Sequence, residues 1–147
     1  MSSAGLEVFD TTVHKTNQWV NQLAEQLGWE DKHRVFQVLR VTLHTLRDRV
    51  PVEEATQLGA QLPILLAGFY YEDWKPAQTP HKERSKEEFL APIRNYCQEV
   101  GLDTDPEPIA RQVFRLLSDR IATGEIEEIA AMLPASIRDL WPQAAQV

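Results

Sequence analysis

Four histidines, one cysteine and scattered carboxylates are the groups here that can move protons, attack an electrophile or hold a metal. His14, His33, His44 and His81 have no second His or Cys three to five residues away, so no helix or turn offers a ready pair of metal ligands. His44 with Asp48, four residues on, can orient an imidazole, but the spacing reads as a surface pair on one helix. Cys97 falls on an apolar helix face, where burial suits a small side chain and keeps its thiol protonated. The doubled carboxylates Glu53/Glu54 and Glu127/Glu128 begin short helices, where negative charge favours the N-terminal dipole. There is no Gly-rich phosphate loop, no Gly-x-Ser-x-Gly elbow and no His-Glu-x-x-His. These residues predict no catalytic centre, no metal site and no cofactor.

Two sets of residues carry other chemistry. Arg49 with Glu54, and Arg120 with Glu125, sit astride the same kind of bend, followed by Pro63 and Pro134. Each arginine is expected to tie the end of one helix to the start of the next, and occurrence of the pair twice reads as architecture. The second set is Phe69, Tyr70, Tyr71 and Trp74. With about 100° between successive helical residues, three adjacent aromatics cannot all face one core. At least one must meet another element, solvent or a partner. Lys75, Lys82, Arg84 and Lys86 follow, diluted by Glu83, Glu87 and Glu88. Phe69, Tyr70, Tyr71, Trp74 and Arg84 are thus the expected interaction residues. The plainer reading is that Tyr71 and Trp74 pin a loop.

The elements that position these residues are written twice. Residues 46–63 align without a gap on residues 117–134, with Leu46/Leu117, Asp48/Asp119, Arg49/Arg120, Glu54/Glu125, Ala60/Ala131, Leu62/Leu133 and Pro63/Pro134 identical. Chance would give about one match in such a window. The chain therefore predicts an all-α fold of two tandem copies of a four-helix unit, packed as a pseudo-symmetric bundle. The expected boundaries are a tail at 1–10, one repeat at 11–74, a linker at 75–84 rich in charge and proline, and the second repeat at 85–142.

Within the first copy, Thr11 or Thr12 is expected to cap a helix with Val13, Val20 beside Trp19, Leu23 and Leu27 inward, ended by Gly28. A second helix opens at Glu30 or Asp31 and runs Val35, Val38, Leu39, Thr42, Leu43, Leu46 and Val50 down one stripe to Pro51. Ala55 and Leu58 face in from a short third helix, and Pro63 opens a fourth. In the second copy Ser85 with Glu88 and Thr104 with Glu107 are expected capping boxes. Phe89, Ile93, Cys97 and Val100 make the fifth helix's apolar face, stopped by Gly101; Ile109, Ala110, Val113, Phe114, Leu117 and Ile121 repeat the stripe of the second helix. No run alternates with period two.

Composition sets bounds on function. At 147 residues with 43% hydrophobic and 25% charged side chains the chain reads as globular, and its single cysteine excludes an internal disulfide. The net charge of −7 repels phosphate backbones, and both halves are acidic, which argues against nucleic acid. The longest greasy run, Ile64 to Tyr71, is far short of a membrane span, and the start of the chain lacks the pattern of a secretory leader. A cytoplasmic location is expected.

With the Leu62-Pro63 to Trp74-x-Pro76 segment, the Pro80 to Phe89 stretch and the closing Leu133-Pro134 to Leu140-Trp141 in view, residues 13–142 resemble the bacterial family of uncharacterised proteins called DUF2267. The resemblance implies a helical fold and carries over no catalytic residue. The sequence departs from the family pattern at Ala67, where arginine is usual, and at Asp73, where glycine is usual. A small non-enzymatic interaction or scaffold protein, binding a protein partner or itself, is the function expected. The alternatives are a nucleic-acid-binding regulator and a ligand site or enzyme between the copies.

Overall fold

A computed structural model describes residues 5–82 and 85–146. The chain is all-helical, with no strand among the described residues. In order come α1 (Glu7–Leu27), α2 (Lys32–Arg47), α3 (Val52–Ala60), α4 (Ile64–Tyr70), a 3-10 turn (Pro76–Gln78), α5 (Lys86–Glu99), α6 (Pro106–Arg120), α7 (Thr123–Ala131), α8 (Ala135–Arg138) and a closing 3-10 turn (Gln143–Gln146).

Local chemistry explains most boundaries. Asp31 caps α2 by accepting from the His33 and Arg34 amides at 3.1 and 3.2 Å. Ser85 and Glu88 form the reciprocal capping box that opens α5. Gly28 and Gly101 take φ of 73° and 71°, the left-handed conformation that ends a helix without a Cβ clash. Pro63 and Pro134 stand just before α4 and α8, and their carbonyls accept from Ala67 N and Arg138 N, each at 2.8 Å.

Three local expectations are corrected. Helix α1 starts at Glu7 with Leu6 at its cap, so Thr11 and Thr12 lie inside the helix and residues 7–10 are not tail. The apolar spacing simply continues upstream of the threonines, and Glu7 and Asp10 favour the first-turn dipole. Val13 is 45% exposed instead of core, because α4 meets this part of α1 at Thr12 and leaves Val13 half uncovered. At α6 the cap is Asp105, which accepts from Glu107 N at 3.0 Å, while Glu107 is drawn to Arg111 at 2.8 Å and Lys86 at 3.3 Å. The Thr104 box does not form. Val100 follows the last turn of α5 and is 37% exposed, having left the helical face that buries Phe89, Ile93 and Cys97.

Helix α1 lies against α2 and α6, α5 lies against α6 and α2, and α2 touches α6. Helix α3 meets α7, α4 packs under α1 and α2, and α8 against α5. The stripes of α2 and α6 are consequently sealed: Val35, Val38, Leu39, Leu43 and Leu46, and Ile109, Val113, Phe114 and Leu117, have no exposed surface. Each such side chain contributes about 1.5–3 kcal/mol of burial, offset by the conformational entropy lost on ordering. Phe114 and Trp141 stack at 4.2 Å across the second half of this core. Among the described residues no helix is long and apolar enough to cross a membrane.

Candidate functional site

The aromatic segment turns inward. Tyr70 is fully buried and its hydroxyl donates to the Ala55 carbonyl at 2.6 Å; burial raises the phenol's pKa far above its ordinary value. Phe69 meets Phe36 edge-on at 4.9 Å and lies under the Arg40 guanidinium, 5.6 Å from the ring centre. Tyr71 is half-buried between Tyr70 at 4.9 Å and Trp74 at 5.5 Å. Its ring lies so close to Gly59 that a Cβ there would come within 2.6 Å of the Tyr71 Cζ. Trp74 is also half-buried, and its indole N–H is shielded from solvent. Phe69, Tyr70, Tyr71 and Trp74 are thus mutual packing residues that join α4 to α2 and α3. Arg84, the fifth member of the expected interaction set, lies outside the described residues.

Arg47, which sequence reasoning passed over, holds this segment in place. Its guanidinium is 4% exposed and donates to the Tyr70 and Glu72 carbonyls, both at 2.7 Å, while its Nε pairs with Asp48 at 2.9 Å. The carbonyls left over at the C-terminal end of α4 are thereby satisfied by a charge-assisted donor from α2. An arginine one turn after Leu43, at the end of the α2 stripe, was the available signal.

Neither expected arginine–glutamate pair forms among the described contacts. Arg49 donates to Thr45 O at 3.4 Å and lies 6.0 Å from the Phe89 ring centre. Arg120 donates to Gln22 Oε1 at 2.8 Å and lies 6.0 Å from the Trp19 ring centre. The bends swing both arginines sideways onto aromatic rings, and their glutamates turn toward each other instead. Glu54 and Glu125 meet at the seam between α3 and α7, joined by Glu128, with one oxygen of each carboxylate within 4.8 Å of the other two. Burial raises the pKa of Glu54 and of Glu125, and the neighbouring carboxylates push both in the same direction.

Two of the four histidines, His44 and His81, line one cleft. His44 is half-buried with Nε2 at 2.7 Å from the Phe69 carbonyl, and desolvation lowers its pKa. It shares a cleft of about 410 Å³ between α2 and α5 with Asp48, Arg49, His81, Tyr96 and Glu99. The His81 amide donates to the Asp48 carbonyl at 2.7 Å, which ties the linker to the end of α2. Cys97 is 2% exposed, and burial raises its pKa.

Among the described residues, exposed large apolar side chains gather at the starts of α1 and α4. On α1 the positions Leu6, Phe9, Val13, Thr16, Val20, Leu23 and Leu27 recur at alternating intervals of three and four, the spacing of a helix–helix seam. From Thr16 to Leu23 that seam is buried, whereas Leu6, Phe9 and Val13 are 61%, 60% and 45% exposed. Ile64 at the start of α4 is 76% exposed and Leu65 38%. The Leu65 amide donates to Thr12 Oγ1 at 2.9 Å, which joins α4 to this part of α1. At the aligned places of the second half stand Ala135 and Ser136, so the fold does not demand large apolar groups there. The signal for this feature was the same three-four spacing, read only from Val13 onward.

No curated protein matches the chain. The family model described as an uncharacterized conserved protein, DUF2267, matches residues 16–140. That span takes in every helix from the core-facing part of α1 to α8, and the chain belongs to the DUF2267 family.

Proposed function

We propose that this is a small, non-enzymatic, cytoplasmic interaction protein that associates with a second copy of itself through the uncovered end of α1. The observation that supports the reading is the exposed Leu6, Phe9 and Val13, which prolong a buried seam past the body of the molecule. Exposed large apolar side chains in a contiguous set mark interaction surfaces, and a three-four spacing fits a helix as the occupant. An antiparallel pairing centred near Thr11 sets Phe9 against Val13 of the second copy and Glu7 against its Lys15, so apolar and charged positions both find complements. Ile64 and Leu65 flank the pair.

The architecture we infer beneath it is two tandem copies of one four-helix unit about a pseudo-twofold axis. In its support, α1 packs on α6 as α5 packs on α2, and the aligned pairs α2/α6 and α3/α7 meet each other. Glu54 facing Glu125, its aligned counterpart, fits an axis running through that seam.

Light scattering on the eluting protein tests the association. The expected result is a dimer at micromolar concentration that becomes monomeric in Phe9→Asp and in Ile64→Asp, with both variants still folded and melting cooperatively because neither side chain lies in the core. A wild-type protein that stays monomeric up to about 100 μM, well above the micromolar Kd of even a modest interface, overturns it, as does a dimer indifferent to both substitutions. A second reading, a small polar ligand in the α2/α5 cleft, is favoured by His44, Asp48, Tyr96 and Glu99 lining one space.

A further inference from the structure

The seam between α3 and α7 concentrates negative charge where the fold has no need of it. Glu54 occupies the third position of α3 and Glu125 the third position of α7, so two helix starts present their carboxylates to one another. Glu128 adds a third carboxylate from the same face of α7, one turn on. A cluster of acids at a surface is ordinary, but this one runs inward from exposed Glu128 through half-buried Glu125 to buried Glu54. Glu54 is 7% exposed, and its Oε2 is fully buried with no hydrogen-bond partner among the described residues; Oε2 of Glu125 is in the same condition. The charged groups acting on Glu54 are Glu125, Glu128 and Glu53, every one of them negative. A buried anionic oxygen without a donor costs several kcal/mol in general unless something positive reaches it. The helix N-termini soften the repulsion, yet they leave both oxygens unpartnered.

We propose that Glu54, Glu125 and Glu128 bind one hard divalent cation across the α3–α7 seam. The donor set is all carboxylate oxygen, which selects calcium, manganese or magnesium over zinc or copper. Calcium–oxygen bonds of about 2.3–2.6 Å let two ligands stand up to roughly 5 Å apart across the ion, and the three oxygens lie within 4.8 Å of one another. Glu54 and Glu125 supply the inner ligands. Glu128, exposed at the rim, closes the site and leaves the remaining positions to water. The ion replaces like-charge repulsion between α3 and α7 with a bridge, which stabilises the contact of the two halves at that point.

Thermal unfolding of the full chain, first stripped with EDTA and then titrated with calcium, manganese or magnesium chloride, tests the site. The expected result is a Tm rise of about 5–10 °C at a hundredfold excess over Kd with at least one ion, and loss of most of that rise in Glu128→Ala, whose exposed side chain makes the substitution safe for folding. Manganese provides a second readout, as bound Mn²⁺ broadens the NMR signals of α3 and α7 selectively. A wild-type Tm unmoved by all three ions overturns the proposal and leaves a carboxyl pair sharing a proton. An increase that persists undiminished in Glu128→Ala, with no broadening along the seam, overturns it equally.

Discussion

Asp73 takes φ of 58°, the left-handed conformation that a side chain adopts at a cost of roughly 1 kcal/mol and glycine adopts freely. The glycine that the family resemblance implies at this place would take that conformation without the cost. Gly59 is a similar case: it is small because Tyr71 presses on it, and the aligned positions of the second half are Ala130 and Pro142, where no tyrosine presses. Neither requirement is visible in a sequence without knowing which ring arrives from where. Glu54 shows the same limit, since two of its like-charge neighbours, Glu125 and Glu128, come from α7, beyond the reach of any local pattern. Its raised pKa has a definite consequence. A carboxyl whose folded pKa lies above its unfolded value contributes stability that is present below the unfolded value and lost as pH rises through the folded one. In EDTA, Glu54→Gln is therefore expected to melt about 2–4 °C above wild type at pH 8, the size of roughly 1 kcal/mol in a chain this long, with the difference vanishing toward pH 4. Differential scanning calorimetry across that range measures it, and a wild type more stable than the variant at pH 8 contradicts it.

At the scale of elements, the three-four spacing placed α2 and α6 and their buried faces, because a helix that hides one stripe must repeat it in the sequence. Boundaries were harder where two caps competed. Asp105 displaced Thr104 since Glu107, the partner a capping box needs, finds Lys86 and Arg111 within reach. The aromatic run was expected to meet another element, solvent or a partner, and Phe69 and Tyr70 meet α2 and α3 of their own chain. Arg47 makes that arrangement possible. Replacing it by methionine keeps the apolar stem and removes the donors to the Tyr70 and Glu72 carbonyls. Arg47→Met is expected to lose about 2–4 kcal/mol in urea unfolding and to bring Tyr71 and Trp74 into solvent, reported by a red shift of tryptophan emission. A variant of wild-type stability would show that the end of α4 does not depend on the arginine.

At the scale of the whole molecule the two halves are not separable bodies. Helix α1 rests on α6 and α5 on α2, so each half completes the core of the other. Parting the halves would take α6 away from α1 and α2 away from α5, and so uncover part of the apolar face of each. Residues 1–82 and 83–147 expressed alone are expected to show no cooperative thermal transition and to regain one when mixed; a sharp melt of either fragment alone speaks against that interdependence. The repeated segment in the sequence pointed to two matched parts. It did not show that the aligned glutamates would come face to face, which depends on how the parts dock.

Burial of Cys97 on α5 leaves the chain with its single thiol sealed in the core and held in its protonated, unreactive form. The native thiol is expected to react only slowly with maleimide, so a cysteine introduced at an exposed site such as Asn17 or Arg115 becomes the preferred place for a spin or fluorescent label. Distances between labels can then be read with little background from the parent molecule.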